Sequence, residues 1–130
     1  MTFDKSTQTI SINRGDRGTI KLINTHENFK VGDKIKFSII EKDNYNNVIF
    51  QKTYTVTEES TEFYLTLTKE DTKIGDIISK EVVYYYEIEY NGDQTLIGYD
   101  KKKHKKFILF NILLSTSFKV SVVSFITYHL

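Results

Sequence analysis

Apolar and polar residues alternate with a period of two in several short stretches of this chain. The clearest is KIKFSI at residues 34–39, in which every second side chain is apolar. This period places successive side chains on opposite faces of a β-strand, so each stretch predicts a strand with one buried face. In the next strand, the pattern puts Val48, Phe50, Tyr54 and Val56 on one face. Further strands are predicted at residues 7–13, 19–23, 62–67, 82–90, 95–99 and 106–110.

Turn-forming residues separate the predicted strands at intervals of about 8–12 residues, which is the spacing of a β-sandwich. Residues 14–18 and 91–92 contain the glycines of tight turns, and residues 43–47 predict a five-residue hairpin connection. Thr68 begins a TKEDT segment that is compatible with one capped helical turn. Residues 1–5 are polar and predict a short, frayed start. The pattern therefore predicts an all-β fold.

The strand at residues 82–90 has the most regular alternation. Its predicted buried face carries Tyr84, Tyr86, Ile88 and Tyr90, and its predicted exposed face carries Tyr85, Glu87 and Glu89. Exposed tyrosines are common at protein interfaces and sugar-binding platforms, so Tyr85 is a candidate interface residue. A single tyrosine on a strand is also ordinary protein surface, and Tyr85 alone therefore only permits a binding face.

Composition supports the strands and excludes several classes of function. The chain has 130 residues, no Ala, no Pro and no Cys. Lack of Ala, the best helix former, and an abundance of β-branched residues disfavour a helical bundle. The net charge of +1 is too balanced for a general nucleic-acid binder. Without Cys, disulfides and thiolate metal sites are excluded.

The last twenty residues differ from the rest of the chain. A lysine run at residues 101–106 precedes them, and no acidic residue follows position 100. This basic flank imitates a membrane anchor, but polar residues interrupt the apolar stretch and favour a strand. We therefore divide the chain into a sandwich domain at 1–110 and an apolar strand or assembly arm at 111–130. A third interpretation is that residues 111–130 are an irregular terminus that is not native to the domain. The arm's candidate interface residues are Phe118, Val120, Val122, Ile126 and Tyr128.

Candidate catalytic and metal-binding groups are sparse. His26, His104 and His129 are far apart in sequence, and we interpret them as surface residues. Glu87 and Glu89 lie on one strand face and permit glycosidic acid–base chemistry, although a solvated strand shows the same pattern. We predict no catalytic residue, no metal ligand, no cofactor and no enzymatic activity.

Three other segments have weak functional alternatives. Residues 43–47 are rich in oxygen ligands but lack calcium-loop spacing, so they predict a hairpin. The tripeptide at 14–16 spells a receptor-recognition motif, but turn geometry accounts for it. The lysine run at 101–106 has no aromatic residues interleaved for base stacking, and we interpret it as a solvated loop.

Six segments, taken in order, resemble a known family. They read RGDRGTIKL, VGDKIKFSI, VIFQKTYTV, LTLTKEDTKIGD, YYYEIEYNGDQTLIGYD and KKFILF. In order and spacing they resemble small immunoglobulin-like β-sandwich proteins encoded among the virion structural genes of tailed phages and prophages of low-GC Gram-positive bacteria. The resemblance spans roughly residues 10–110 and does not extend to residues 111–130.

The resemblance implies an immunoglobulin-like, antiparallel sandwich of about seven to nine strands. It also implies a non-enzymatic part of a phage virion, as a capsid-decoration or head-fibre-anchoring protein, or as a tail or baseplate attachment protein. The expected partners are other virion proteins and further copies of the chain, without nucleic acid or membrane, after assembly in the bacterial host cytoplasm. The alternative from the residues is a host-surface or carbohydrate-binding module.

Overall fold

The structure is a computed structural model that describes residues 1–4, 6–24, 27–76, 81–92, 94–97, 105–110 and 123–128. The described residues are all-β and contain no helix. In these described ranges, nine strands lie within residues 1–110 and one lies beyond them. They are β1 (Thr2–Asp4), β2 (Thr9–Asn13), β3 (Gly18–Asn24), β4 (Lys34–Glu41), β5 (Asn44–Thr55), β6 (Glu62–Leu67), β7 (Glu81–Tyr90), β8 (Gln94–Ile97), β9 (Lys105–Phe110) and β10 (Val123–Tyr128).

The strands form two sheets. The large sheet has the order β1-β2-β9-β7-β4-β5, and β8 pairs with β7 beside this path. All its pairings are antiparallel except that of β2 with β9. The small sheet has the order β10-β3-β6, in which β3 and β6 are antiparallel and β10 is parallel to β3.

One hydrophobic core joins the two sheets. Because side chains alternate between the faces of a strand, each sheet contributes one apolar face to this core. The large sheet supplies Ile10, Ile12, Ile35, Phe37, Ile39, Tyr86, Ile88 and Tyr90, and the small sheet supplies Ile20, Leu22, Leu65 and Leu67. The predicted buried positions of β4, and those at Tyr86, Ile88 and Tyr90, are therefore confirmed, whereas Tyr84 is only partly buried.

Aromatic rings fill the centre and one end of the core. The Phe37 ring on β4 lies 5.8 Å from the Tyr86 ring on β7, between ring centroids. Phe29 precedes β4, is fully buried, and contacts both the Tyr90 ring at 5.9 Å and the Phe63 ring at 6.1 Å. Since Phe63 belongs to the small sheet and Tyr90 to the large one, Phe29 bridges both sheets.

Three local expectations are wrong. The start is not frayed, because β1 pairs with β2 and the Met1 side chain is buried in the core. The β4–β5 connection is shorter than five residues, because Glu41 already pairs with Asn44. Val48 does not share the buried face, because the register skips Ile49 and pairs Val48 with Ile40 on the outer face.

The predicted capped turn forms a single turn that does not extend into a helix. The Asp71 N–H donates to the Thr68 hydroxyl at 3.2 Å, and the Thr68 N–H donates to the Asp71 carboxylate at 2.9 Å. This reciprocal arrangement is that of a capping box. The Thr72 N–H also reaches the Thr68 carbonyl at 3.3 Å.

Thr72 connects this turn to the glycine turn at residues 14–18. Its hydroxyl accepts a hydrogen bond from the Gly15 N–H at 3.0 Å and lies 2.8 Å from the Asp16 carbonyl, to which it donates. The Thr72 side chain is buried, and Gly15 has a φ of +85°, which favours glycine. Two segments that are distant in sequence thus meet at one buried hydroxyl.

Residues 123–128 pair with β3 of the same chain. Val123 lies opposite Thr19 in the register, and Tyr128 lies opposite Asn24. The chain therefore continues as a strand within its own small sheet. The interface role of Ile126 and Tyr128 stays a prediction, and Phe118, Val120 and Val122 lie outside the described residues.

Replacing the Thr72 hydroxyl tests this junction. Thr72→Val keeps the shape of the side chain but leaves the partly buried Gly15 N–H without its hydroxyl partner. We expect it to lower the free energy of unfolding by about 1–3 kcal/mol in urea titrations. Thr72→Ser, which keeps the hydroxyl, is the control. Equal losses in the two variants would contradict the role of the hydroxyl.

Candidate interaction surface

The outer face of the large sheet carries a partly covered row of polar and apolar residues. Residues of β4 alternate, so Ile35, Phe37 and Ile39 enter the core while Ser38 and Ile40 lie on the opposite face. Ser38 and Ile40 are nevertheless buried. Their neighbours on β5 and β7 therefore cover part of this outer face.

An aromatic cluster covers the outer face at the end of the β4–β5 hairpin. The Tyr45 ring stacks on the Tyr85 ring, with 6.0 Å between centroids and an interplanar angle of 15°. Ile40 pairs with Tyr85 on one side and with Val48 on the other. We call Ile40, Tyr45, Val48 and Tyr85 the tyrosine patch.

Irregular pairing produces the tyrosine patch. After Ile40 pairs with Val48, the next pair is Glu41 with Asn44, so residues 45–47 have no partner in the ladder. This extra length lets the hairpin end bend, and the Tyr45 ring reaches across β4 to the Tyr85 ring. Tyr45 remains 38% exposed and Val48 45% exposed, so the patch presents apolar surface to solvent.

Polar groups around the tyrosine patch are paired with each other. Beside Ile40, the Gln51 amide donates to the Ser38 hydroxyl at 3.1 Å. Further along the same face, the Lys36 ammonium lies 3.0 Å from the Glu89 carboxylate. At the hairpin end, the Asn47 amide donates to Glu41 at 2.5 Å. An apolar centre with a polar rim is the usual anatomy of a protein interface.

A separate groove of about 820 Å³ lies between the β4–β5 turn, the turn after β6 and the start of β7. Its apolar lining includes Ile49, Phe50 and Ile74. The Tyr84 hydroxyl also lines it, and a side chain at Gly75 would collide with that hydroxyl, since an added Cβ would lie 2.9 Å away. Burial raises the pKa of Tyr84, and the nearby Asp76 and Glu41 charges raise it further.

Two carboxylates that line the groove form ion pairs. The Lys52 ammonium lies 2.8 Å from the Asp71 carboxylate, and Lys73 lies 2.8 Å from Glu70. Burial alone would raise the pKa of Asp71, but hydrogen bonds from Lys52 and Thr68 outweigh it and lower that pKa. In the described part of the chain, no group of three or more His, Asp or Glu residues is arranged to hold a metal ion.

The structure changes the interpretation of Tyr85. The residue lies on the outer face as predicted, but it is half-buried rather than exposed, because the Tyr45 ring stacks against it. The outer face also carries Glu87 and Glu89, and the Glu89 carboxylate is bound to Lys36. His26, His104 and His129 lie outside the described residues.

The other weak motifs have structural roles where they are described. The turn at 14–16 bonds to the Thr72 hydroxyl, and the Arg14 guanidinium donates to the Gly75 carbonyl at 3.3 Å. Residues 44–47 belong to β5 instead of a loop. In the lysine run, residues 101–104 lie outside the described part of the chain, and Lys105 and Lys106 begin β9.

Sequence reasoning missed three members of the tyrosine patch. Tyr45 lies in a polar segment that predicts a loop, and strict alternation places Val48 on the wrong face. Ile40 breaks the alternation of β4, since it follows the core residue Ile39 directly. Two successive isoleucines in an otherwise alternating strand are the signal that the outer face is covered there.

Comparisons with known proteins found no relative of this chain. No family model, no curated protein and no solved structure matches this chain. The described ranges contain no helix with the length and apolar character that a membrane span requires.

The stacked pair can be tested with a double-mutant cycle. Because aromatic stacking adds to the energy of burial, we expect Tyr45→Ala and Tyr85→Ala to be coupled by about 0.5–1.5 kcal/mol in the free energy of unfolding. Tyr64 is an exposed tyrosine of the small sheet, and Tyr64→Ala paired with Tyr85→Ala is the control. Additive losses for Tyr45 and Tyr85 would contradict the stacking.

Proposed function

We propose that this protein is a non-enzymatic structural component of a tailed-phage virion and that it acts through protein–protein contacts. The observation that carries the contact role is the tyrosine patch, an aromatic and partly exposed apolar surface with hydrogen-bonded polar pairs beside it. The virion setting rests on the resemblance of the six ordered segments. Its position is on the head, in decoration or fibre anchoring, or on the tail, in baseplate attachment.

Strand order supports the immunoglobulin-like part of this proposal. In variable-type immunoglobulin sandwiches, strands G, F, C and C′ are neighbours in one sheet, and strands B and E pair in the other. The large sheet places β9, β7, β4 and β5 side by side, and the small sheet pairs β3 with β6. In chain order these are B, C, C′, E, F and G, with β8 inserted between the last two.

The junction at Thr72 also supports the proposal. Two of the resembling segments are RGDRGTIKL and LTLTKEDTKIGD, and the buried Thr72 hydroxyl joins them through Gly15 and Asp16. Because these segments meet in space, their joint occurrence has a structural reason.

Association with particles tests the proposal. In a host that encodes this chain, we expect the protein to sediment with intact phage heads or tails at a fixed ratio to the other virion proteins. Tyr45→Ala should reduce its occupancy on particles about tenfold, because aromatic anchors dominate interface energies. Tyr64→Ala, on the small sheet, should leave occupancy unchanged. Recovery of the wild-type protein only from host cytosol would refute the virion role.

A second candidate is a host-surface or carbohydrate-binding module. The observation that favours it is the exposure of Tyr45 beside the amide side chains of Asn46 and Asn47, since sugars stack on aromatic rings and bond to amides. The Asn47 amide already bonds to Glu41, which leaves this site with fewer donors for a sugar. We therefore place it second.

Glycan binding separates the two candidates. A carbohydrate module should bind host cell-wall polysaccharide on an array or in a pull-down, and Tyr45→Ala should abolish the signal while Tyr64→Ala keeps it. Under the virion proposal we expect no signal above that of Tyr45→Ala. A wild-type signal that depends on Tyr45, together with absence from particles, would favour the second candidate.

A further inference from the structure

β5 ends the large sheet and is its longest strand. It spans Asn44–Thr55 and pairs with β4 on one side, and no described strand pairs with it on the other. Backbone groups at such an edge are a ready template for another strand. The opposite edge of the same sheet, β1, has only three residues.

The pattern of hydrogen bonds shows which residues of β5 face the open edge. The Val56 N–H donates to the Asp33 carbonyl at 2.9 Å, and the Asn91 N–H donates to the Lys34 carbonyl at 2.8 Å. Antiparallel ladders alternate, so Tyr54 and Lys52 bond to β4 through their backbones. The backbone groups of Gln51, Thr53 and Thr55 therefore point to the open edge.

This edge lacks the charges that usually prevent strand pairing. Gln51, Thr53 and Thr55 are uncharged and exposed. The charged residue of this stretch, Lys52, forms an ion pair with Asp71, with 2.8 Å between its ammonium and the carboxylate. Natural edge strands commonly carry free charges, prolines or bulges against pairing. The bulge at Ile49 affects only the first half of β5, so the pairing-competent stretch runs from residue 51 to 55.

The edge is also held in place before any partner arrives. The Tyr54 hydroxyl donates to the Thr66 carbonyl of β6 at 2.7 Å, and the Lys52–Asp71 pair fixes the neighbouring position. On the outer face, the Lys34 ammonium donates to the Thr55 hydroxyl at 2.7 Å. An edge that is already ordered loses less conformational freedom on binding.

We propose that β5 pairs antiparallel with β5 of a second copy of this chain, about a two-fold axis at Thr53. In this register Thr53 faces Thr53 of the other copy, and Gln51 faces Thr55. Lys52 lies opposite Tyr54 instead of another lysine, so no like charges meet. The two large sheets join into one continuous sheet.

Self-pairing favours a second copy over an unrelated extended peptide. Residues 51–55 have the sequence QKTYT. When a second copy runs antiparallel to it about Thr53, each polar outer-face residue lies opposite another polar residue. An isologous two-fold contact needs this self-complementarity, whereas a foreign peptide does not. The tyrosine patch lies at the other end of β5, so the dimer does not depend on the proposed virion role.

Cysteine cross-linking tests the register. The native chain has no Cys, so Thr53→Cys introduces the only thiol. Residues that face each other in a hydrogen-bonded antiparallel pair have Cα atoms about 5.5 Å apart, which is within the range of a disulfide. We expect Thr53→Cys to form a covalent dimer on mild oxidation. Thr66→Cys, an exposed threonine on the small sheet, is the control and should remain largely monomeric.

Sedimentation equilibrium tests the dimer without a cross-link. The wild-type chain should sediment at twice its monomer mass of 15.2 kDa. Thr53→Lys places two ammonium groups opposite each other and should weaken dimerisation about tenfold or more. Thr66→Lys should leave dimerisation unchanged. Circular dichroism checks that both variants keep the strand signal, since Thr53 is exposed in the monomer.

Either of two outcomes would overturn the proposal. One is a wild-type chain that remains monomeric at high micromolar concentration. The other is Thr53→Cys that cross-links no more than Thr66→Cys. The dimer and the virion role can fail separately. If Thr53→Lys loses the dimer but still binds particles, the virion proposal is unaffected. If Tyr45→Ala loses particle binding but keeps the dimer, the dimer proposal is unaffected.

Discussion

The structure depends on the contact between two β-sheets through one shared apolar core. Phe37 and Tyr86 lie at its centre on neighbouring strands of the large sheet, and Leu22 and Leu65 belong to the facing strands of the small sheet. A chain of this size without disulfides has one such core to stabilise it. The segment with Phe29, which crosses between the sheets, is positioned by its attachment to this core.

The same alternation that fills the core determines what remains for contact with other molecules. Each inward residue of β4 and β7 has an outward neighbour, and the outward row carries Ser38, Ile40 and Tyr85. At the hairpin end, the irregular register folds Tyr45 over this row and produces an aromatic surface. At the regular half of β5, the backbone itself is the exposed feature. One strand thus offers two different surfaces, and the break in its register separates them.

The sequence predicts the strands and their buried faces well, because a period of two is a direct consequence of strand geometry. It does not predict the pairing partners, since the contact of β2 with β9 joins residues about a hundred positions apart. Strict alternation also fails where the register shifts, as at Ile49, and it therefore places Val48 on the wrong face. Tyr45 lies in a polar segment that predicts a loop. The role of the buried Thr72 hydroxyl is not predictable from the sequence either, because its partners Gly15 and Asp16 belong to a turn that is distant along the chain.

Native-state hydrogen exchange on a Leu22→Ala variant tests the shared core most directly. Leu22 is fully buried in the small sheet, so the substitution leaves a cavity between the sheets. If both sheets depend on one core, the amides of β3, β6, β4 and β7 should lose protection against exchange together, by about 2–5 kcal/mol relative to the wild type. Faster exchange confined to β3 and β6, with β4 and β7 unchanged, would contradict the dependence of both sheets on a single core.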